Sequence, residues 1–176
     1  MQEYTLEKAF RKMTSEWEEM FLMLNAHKGD PNVMVVGGVD DIQTVLDDHI
    51  VKTQTMRNSP FVKPFEKDVK EWEATLLHTQ LSLDEWLKMQ AGWMYLEPIF
   101  SSEDINQQMP EEGRLFQLVD RNFKDTMKKC ALNPKVLEAC TSPGVLEKLT
   151  DSNALLDTIN RGLNAYLEKK RLYFPR

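Results

Sequence analysis

Residues 65–100 read FEKDVKEWEATLLHTQLSLDEWLKMQAGWMYLEPIF, and the reading of this stretch decides the fold. Phe65, Trp72, Thr79, Trp86, Trp93 and Phe100 fall seven apart, while Val69, Leu76, Leu83 and Gln90 fill the intervening positions. Alternating steps of three and four keep side chains on one helical face. Neither glycine nor proline interrupts from Phe65 until Gly92. The spacing predicts a helix from about Val62 to Phe100, roughly 60 Å long at ~1.5 Å per residue. Tryptophans on a single seam suit a broad helix-to-helix contact, because a tight two-stranded coiled coil prefers branched aliphatics there. Large aromatics bury strongly, so Trp72, Trp86 and Trp93 are all expected in the core. Gly92 and Pro98 are the expected places for a bend.

Toward the N-terminus, Leu6, Phe10, Met13, Trp17 and Met20 form the stripe of a helix over roughly Tyr4 to Met20. Phe21 to His27 and Val33 to Val36 flank Lys28-Gly29-Asp30-Pro31-Asn32, which reads as a small β-hairpin around a Gly-Asp-Pro-Asn turn. A lone hairpin is barely stable in water, so this one must pack on helices. A further helix starts after Gly37-Gly38, with Asp40 as its expected cap and Gln43 completing a capping box. Its stripe is Ile42, Leu46, His49, Thr53 and Met56, so His49 should be packed and hydrogen-bonded. It is not expected to be a metal ligand, because no partner stands four residues on. Asn58-Ser59-Pro60 ends that helix.

Beyond Phe100, residues 101–109 are polar and carry a short helical turn. Pro110-Glu111-Glu112 opens another helix, with proline at a first-turn position and acids against the positive dipole end. Phe116, Val119, Phe123, Met127 and Cys130 are its stripe, and Asn133-Pro134 breaks it. Val136 to Cys140 forms a short helix. Ser142-Pro143 starts the last one, with the serine as cap, and its stripe runs through Val145, Leu149, Leu156, Ile159, Leu163 and Tyr166. The expected fold class is all-α (mostly): an elongated bundle of four major helices plus short helices, with one small β-hairpin insert. Residues 1–176 form a single elongated module. No repeat of 20–50 residues is evident.

A composition of 41% hydrophobic and 28% charged residues belongs to an ordinary folded chain. The net charge of −6 argues against nucleic acid, whose phosphates need a basic surface. Lys128-Lys129 and Lys169-Lys170-Arg171 suit helix C-termini better than a phosphate site. No run of ~18 apolar residues would span a membrane. Met1 to Leu24 alternates charged and apolar residues and does not resemble a signal peptide. Cys130 and Cys140 match no zinc spacing and are expected as free thiols in a reducing compartment.

The sequence offers no reactive constellation, and no catalytic, cofactor-binding or metal-binding residue is assigned. A G-x-x-x-x-G-K-[ST] loop is missing. Gly37-Gly38 precedes a helix, yet Asp40-Asp41 would repel a phosphate at that terminus. Asp40-Asp41, Asp47-Asp48 and Glu111-Glu112 are sequence neighbours that do not face one another on a helix. His27, His49 and His78 show no nucleophile-base spacing.

Specific words of the chain point further. Leu6-Glu7-Lys8 with Met13 and Trp17 comes first, then Gly38-Val39-Asp40-Asp41-Ile42, Leu46-Asp47-Asp48-His49, Thr55-Met56 with Ser59-Pro60, and Trp72-Glu73. The richest block joins Trp86-Leu87-Lys88-Met89-Gln90 to Trp93-Met94-Tyr95-Leu96-Glu97-Pro98-Ile99-Phe100. Asp104-Ile105 with Met109-Pro110 follows, and Tyr166-Leu167-Glu168-Lys169-Lys170-Arg171 with Phe174-Pro175-Arg176 closes the chain. In this order and spacing the sequence resembles the linker region of dynein heavy chains, their N-terminal region 2. Val51-Lys52-Thr53-Gln54-Thr55-Met56-Arg57 and Pro60-Phe61-Val62 look more like axonemal heavy chains, of the single-headed inner-arm type.

The resemblance implies a mechanical segment that spans an AAA+ ring and turns ATP-driven ring changes into a power stroke along microtubules in the axoneme of a cilium or flagellum. It implies that ATP and Mg belong to the ring of the parent chain, with none in this fragment. The ring would be an intramolecular partner, and microtubules would be reached only through distant parts. On this reading the chain is a monomeric piece excised from a larger one, because family members continue past Phe174-Pro175-Arg176. A bend is expected near Gly92 to Pro98 or at Asn58-Ser59-Pro60. The rival is a spectrin-like or coiled-coil adaptor binding a partner helix, against which the hairpin counts.

Overall fold

The computed structural model describes residues 3–28 and 30–173, with side chains over 5–28 and 33–170. Among these, the element order is α1 (Glu3–Glu16), a 3-10 turn (Trp17–Glu19), β1 (Met23–His27), β2 (Asp30–Gly37) and α2 (Asp40–Arg57). A 3-10 turn (Lys63–Phe65) leads into α3 (Glu66–Phe100), followed by α4 (Glu103–Gln108), α5 (Pro110–Leu132), α6 (Val136–Thr141) and α7 (Val145–Tyr173). The fold is mostly all-α, as expected. Five helices reach 14 residues or more, one beyond the four anticipated. The chain-closing Phe174-Pro175-Arg176 and the start at Met1 lie outside the described residues.

Helix α3 is the axis of the molecule. It packs against α2, α5, α6, α7 and β2. Val69, Leu76, Leu83, Trp86, Met89, Trp93, Leu96 and Phe100 are all buried along it. It starts at Glu66, not Val62, because the turn through Pro64 ends at Phe65 with φ −132° and ψ 26°. Its 35 residues therefore span about 52 Å at ~1.5 Å per residue, shorter than expected. The helix continues through both Gly92 and Pro98. Gly92 has a packing reason, since a Cβ there would stand 2.9 Å from Leu156 Cδ1 on α7. Close approach of α7 explains this glycine without a bend.

Two apolar clusters surround α3. The larger gathers the buried faces of α3, α5, α6 and α7 with Trp17, Leu22, Val36, Ile42 and Leu46. Trp93 stacks on Phe123 at 4.6 Å between ring centroids, and Phe100 on Phe116 at 5.5 Å. The smaller cluster joins Leu6 and Met13 of α1 to Met56, Val62 and Val69. Trp72 packs against both. Its position at the edge of each leaves it half-buried, which corrects the expectation that all three seam tryptophans are fully buried.

Three local expectations also change. Val39, in helical conformation, precedes α2, and no side chain caps it, so Asp40 is a first-turn acid and the capping box is not formed. The acid still favours the helix by facing the positive dipole end. Ser142 does not cap α7: its hydroxyl donates back to the Glu138 carbonyl at 2.7 Å, closing α6, and Gly144 (φ 82°) turns the chain into α7. In the hairpin, Asp30 already pairs with His27 and belongs to β2, so the expected Asp-Pro-Asn turn residues lie in a strand. Lys28, with φ 52°, follows β1, and residue 29 lies outside the described residues. Residues 31–33 fit opposite the single step from Ala26 to His27 as an irregularity of the ladder.

Candidate functional site

The chain's distinctive geometry is a set of polar braces that tie the flanking elements to α3. Gln90 sits on the apolar seam of α3 and is buried. Its Nε2 donates to the Val36 carbonyl at 2.7 Å and its Oε1 accepts from the Val36 N–H at 2.6 Å. A helix side chain thus completes the ladder edge of β2 and fixes the hairpin to mid-helix. Three residues on, the Trp93 indole N–H donates to Asp120 Oδ1 at 2.8 Å on α5, and Asp120 Oδ2 lies 3.0 Å from Lys124 Nζ. The His27 ring meets Trp93 edge-on at 5.0 Å, so hairpin, α3 and α5 converge on one indole. Lys28 Nζ lies 3.7 Å from Glu97 on the same side.

Further braces act at both ends. Asn153 Nδ2 of α7 donates to the Glu85 carbonyl at 2.9 Å and to its carboxylate at 2.5 Å. Arg57, in the last turn of α2, donates to the buried Glu73 of α3. Charge-assisted contacts of this kind fix orientation as well as energy. At the N-terminus, the Trp17 indole N–H donates to His49 Nδ1 at 2.8 Å, and His49 Nε2 stands 3.3 Å from Glu16. Because Nδ1 accepts, the proton of the neutral ring resides on Nε2 and points to the carboxylate. Burial lowers the His49 pKa from its ordinary value, with the Glu16 charge opposing that shift. His49 is therefore the packed, hydrogen-bonded residue its place on the stripe predicts.

Sequence reasoning missed the braces as pairs. The amide of Gln90 on a mostly apolar seam was the one signal for its role. The three histidines remain apart: His27 lies in β1, His49 in α2 and His78 in α3. Both nitrogens of His49 are engaged, and the nearby Thr53 hydroxyl donates to the His49 carbonyl at 2.7 Å, which leaves no nucleophile-base pair there. Cys130 and Cys140 are free and buried, with burial pushing their thiols up to about 11 and about 12. Protonated thiols are poor nucleophiles. Gly38 has φ 62° and turns the chain ahead of α2. Among the described residues, no cluster of three or more His, Cys, Asp or Glu could hold a metal ion. No helix among them is long and apolar enough to cross a membrane.

Two of the surface recesses among the described residues bear on function. A groove of about 620 Å³ runs between α1 and α2, floored by Leu6, Met13 and Met56 with Lys12 and Lys52 at its rim. A cleft of about 240 Å³ lies among α5, α6 and the start of α7 over Trp86. Neither places a nucleophile beside a base.

The family described as dynein heavy chain, N-terminal region 2, matches residues 1–176. The chain belongs to the dynein heavy chain family. Dynein axonemal heavy chain 12 of Rattus norvegicus is 58% identical over 174 residues, which is 99% of this chain and 6% of that protein. Dynein axonemal heavy chain 3 of Homo sapiens is 50% identical over 175 residues, 99% of this chain and 4% of that protein. Dynein axonemal heavy chain 1 of Homo sapiens is 44% identical over 174 residues, with 99% and 4% covered. This dynein heavy chain region thus spans a few per cent of the length of these relatives. The richest block of the resemblance, Trp86 to Phe100, lies in the C-terminal half of α3 and holds Gln90, Gly92 and Trp93.

Proposed function

We propose that this region is a mechanical segment of an axonemal dynein heavy chain: a strut that carries load between the motor ring and the rest of the molecule. ATP hydrolysis, Mg and the microtubule contact belong to other parts of the parent chain, and the axoneme of a cilium or flagellum is where it works. The observation that carries this reading is α3, an uninterrupted 35-residue helix braced by side-chain hydrogen bonds to the hairpin, α5 and α7. Close-packed interiors resist deformation and transmit strain. A bare surface helix of equal length lacks such lateral support.

Flexing is confined to the junction of residues 58–65. There the chain leaves α2 through a turn and a 3-10 segment, over the smaller apolar cluster. Leu156 of α7 fills the space beside Gly92, which counts against a pivot there. Comparing the intact motor in two nucleotide states tests this. The expected result is that α3, α5, α6 and α7 superpose as one body while α1 and α2 rotate about residues 58–65. A bend within α3 between Gly92 and Pro98 would overturn the placement.

A further inference from the structure

The cleft over Trp86 carries an inference independent of the mechanical reading. Ser142 is exposed at the end of α6 and is followed by Pro143 and Gly144. A Cβ built at Gly144 would meet nothing within 4 Å, so that side of the turn is open. Ser142, Lys129 from the last turn of α5 and Lys148 from the first turn of α7 line the same cleft. Neither ammonium has a carboxylate within 4.0 Å among the described residues, whereas Lys52, Lys70 and Lys124 each do. The acid in the cleft wall, Glu138, is engaged by the Asn133 amide. Two cations without a carboxylate partner therefore line the same cleft as a hydroxyl in a proline-directed context.

We propose that Ser142 is a phosphorylation site for a proline-directed kinase, and that Lys129 and Lys148 hold the phosphoryl group across the cleft. In the step, Ser142 Oγ attacks the γ-phosphorus of a nucleoside triphosphate bound by that kinase. The bond to the leaving nucleoside diphosphate breaks, and the hydroxyl proton goes to the kinase base. That proton is the one now donated to the Glu138 carbonyl, so modification exchanges an internal α6 contact for contacts to α5 and α7. A phosphoserine brings close to two negative charges and three acceptor oxygens, enough to satisfy both ammonium groups. The α6–α7 turn would then be pinned to the end of α5. The chain's other Ser-Pro pair, Ser59-Pro60, differs: Ser59 is half-buried, and its hydroxyl accepts from the Phe61 N–H at 3.2 Å.

The test treats the 176-residue chain with a proline-directed kinase and ATP, maps the product by mass spectrometry, and follows the phosphorus resonance through a pH titration. Expected is a phosphoryl group on Ser142 whose second ionisation lies about one unit below the ~6 of a free phosphoserine. The double variant K129A/K148A, which alters only cleft-rim side chains, should return it to that ordinary value. Failure of the folded chain to accept phosphate at Ser142, when a peptide of residues 137–148 accepts it, overturns the proposal. So does an ordinary ionisation that the double variant leaves unmoved.

Discussion

Trp86 and Trp93 are each 1% exposed, whereas Trp72 is only half-buried between two clusters. Replacement by alanine should therefore cost ~3–5 kcal/mol at Trp86 and at Trp93, and clearly less at Trp72. Denaturant melts of the three variants check this, and an equal loss at Trp72 would mean its exposed edge is covered in solution. A heptad places the three indoles on one line but cannot show where a neighbouring helix stops covering it, which is why Trp72 read as core. His49 was legible from its stripe, yet its partner Trp17 lies 32 residues away and no local pattern announces the pair. Burial depresses the His49 pKa in the folded state, so the unfolded chain takes up the proton first as pH falls. The neutral ring's contribution is complete above the unfolded value of ~6.5 and is lost as pH drops toward the lower folded value. Urea melts at pH 7.5 and pH 5.5 should show a loss of stability on acidification that His49→Gln diminishes. An unchanged difference would remove His49 from the linkage.

Gln90 joins two elements that local propensity treats separately. Substituting Gln90→Leu keeps the helix but strips the Val36 N–H and C=O of partners, and each buried unpaired group costs ~1–3 kcal/mol. The expected outcome is faster amide exchange across β1 and β2 with α3 and α5 protection retained; uniform loss of protection would instead mean that the hairpin is integral to the main core. The helices themselves were largely written in the sequence. Pro110 opens α5 and Asn133-Pro134 closes it, and the buried positions of α2, α5 and α7 follow their stripes. Their ends were less legible, because capping depends on conformation as well as residue type. Asp40 and Ser142 are both good capping residues, yet Val39 is already helical and Ser142 bonds backward into α6. The hairpin was legible as a pair of apolar runs, whereas its register depends on the irregularity opposite Ala26 and His27.

At the scale of the molecule, one long helix lies at the centre and four others brace it. Close packing along its length makes such a helix resist bending, which supports the proposed role of a strut. The richest block of the resemblance to dynein heavy chains, Trp86 to Phe100, lies in α3, so physical reading and family membership meet on that element. Stiffness can be lowered without opening the core, because Leu81 and Lys88 face outward on α3 and glycine at an exposed helical position costs ~1 kcal/mol. The decisive measurement is microtubule gliding velocity and ATPase rate, recorded in parallel on the intact heavy chain carrying Leu81→Gly and Lys88→Gly. A strut predicts that hydrolysis stays near the parent rate while gliding slows several-fold. Gliding at the parent velocity, or a fall in both quantities by the same factor, would contradict a role for this segment in carrying force.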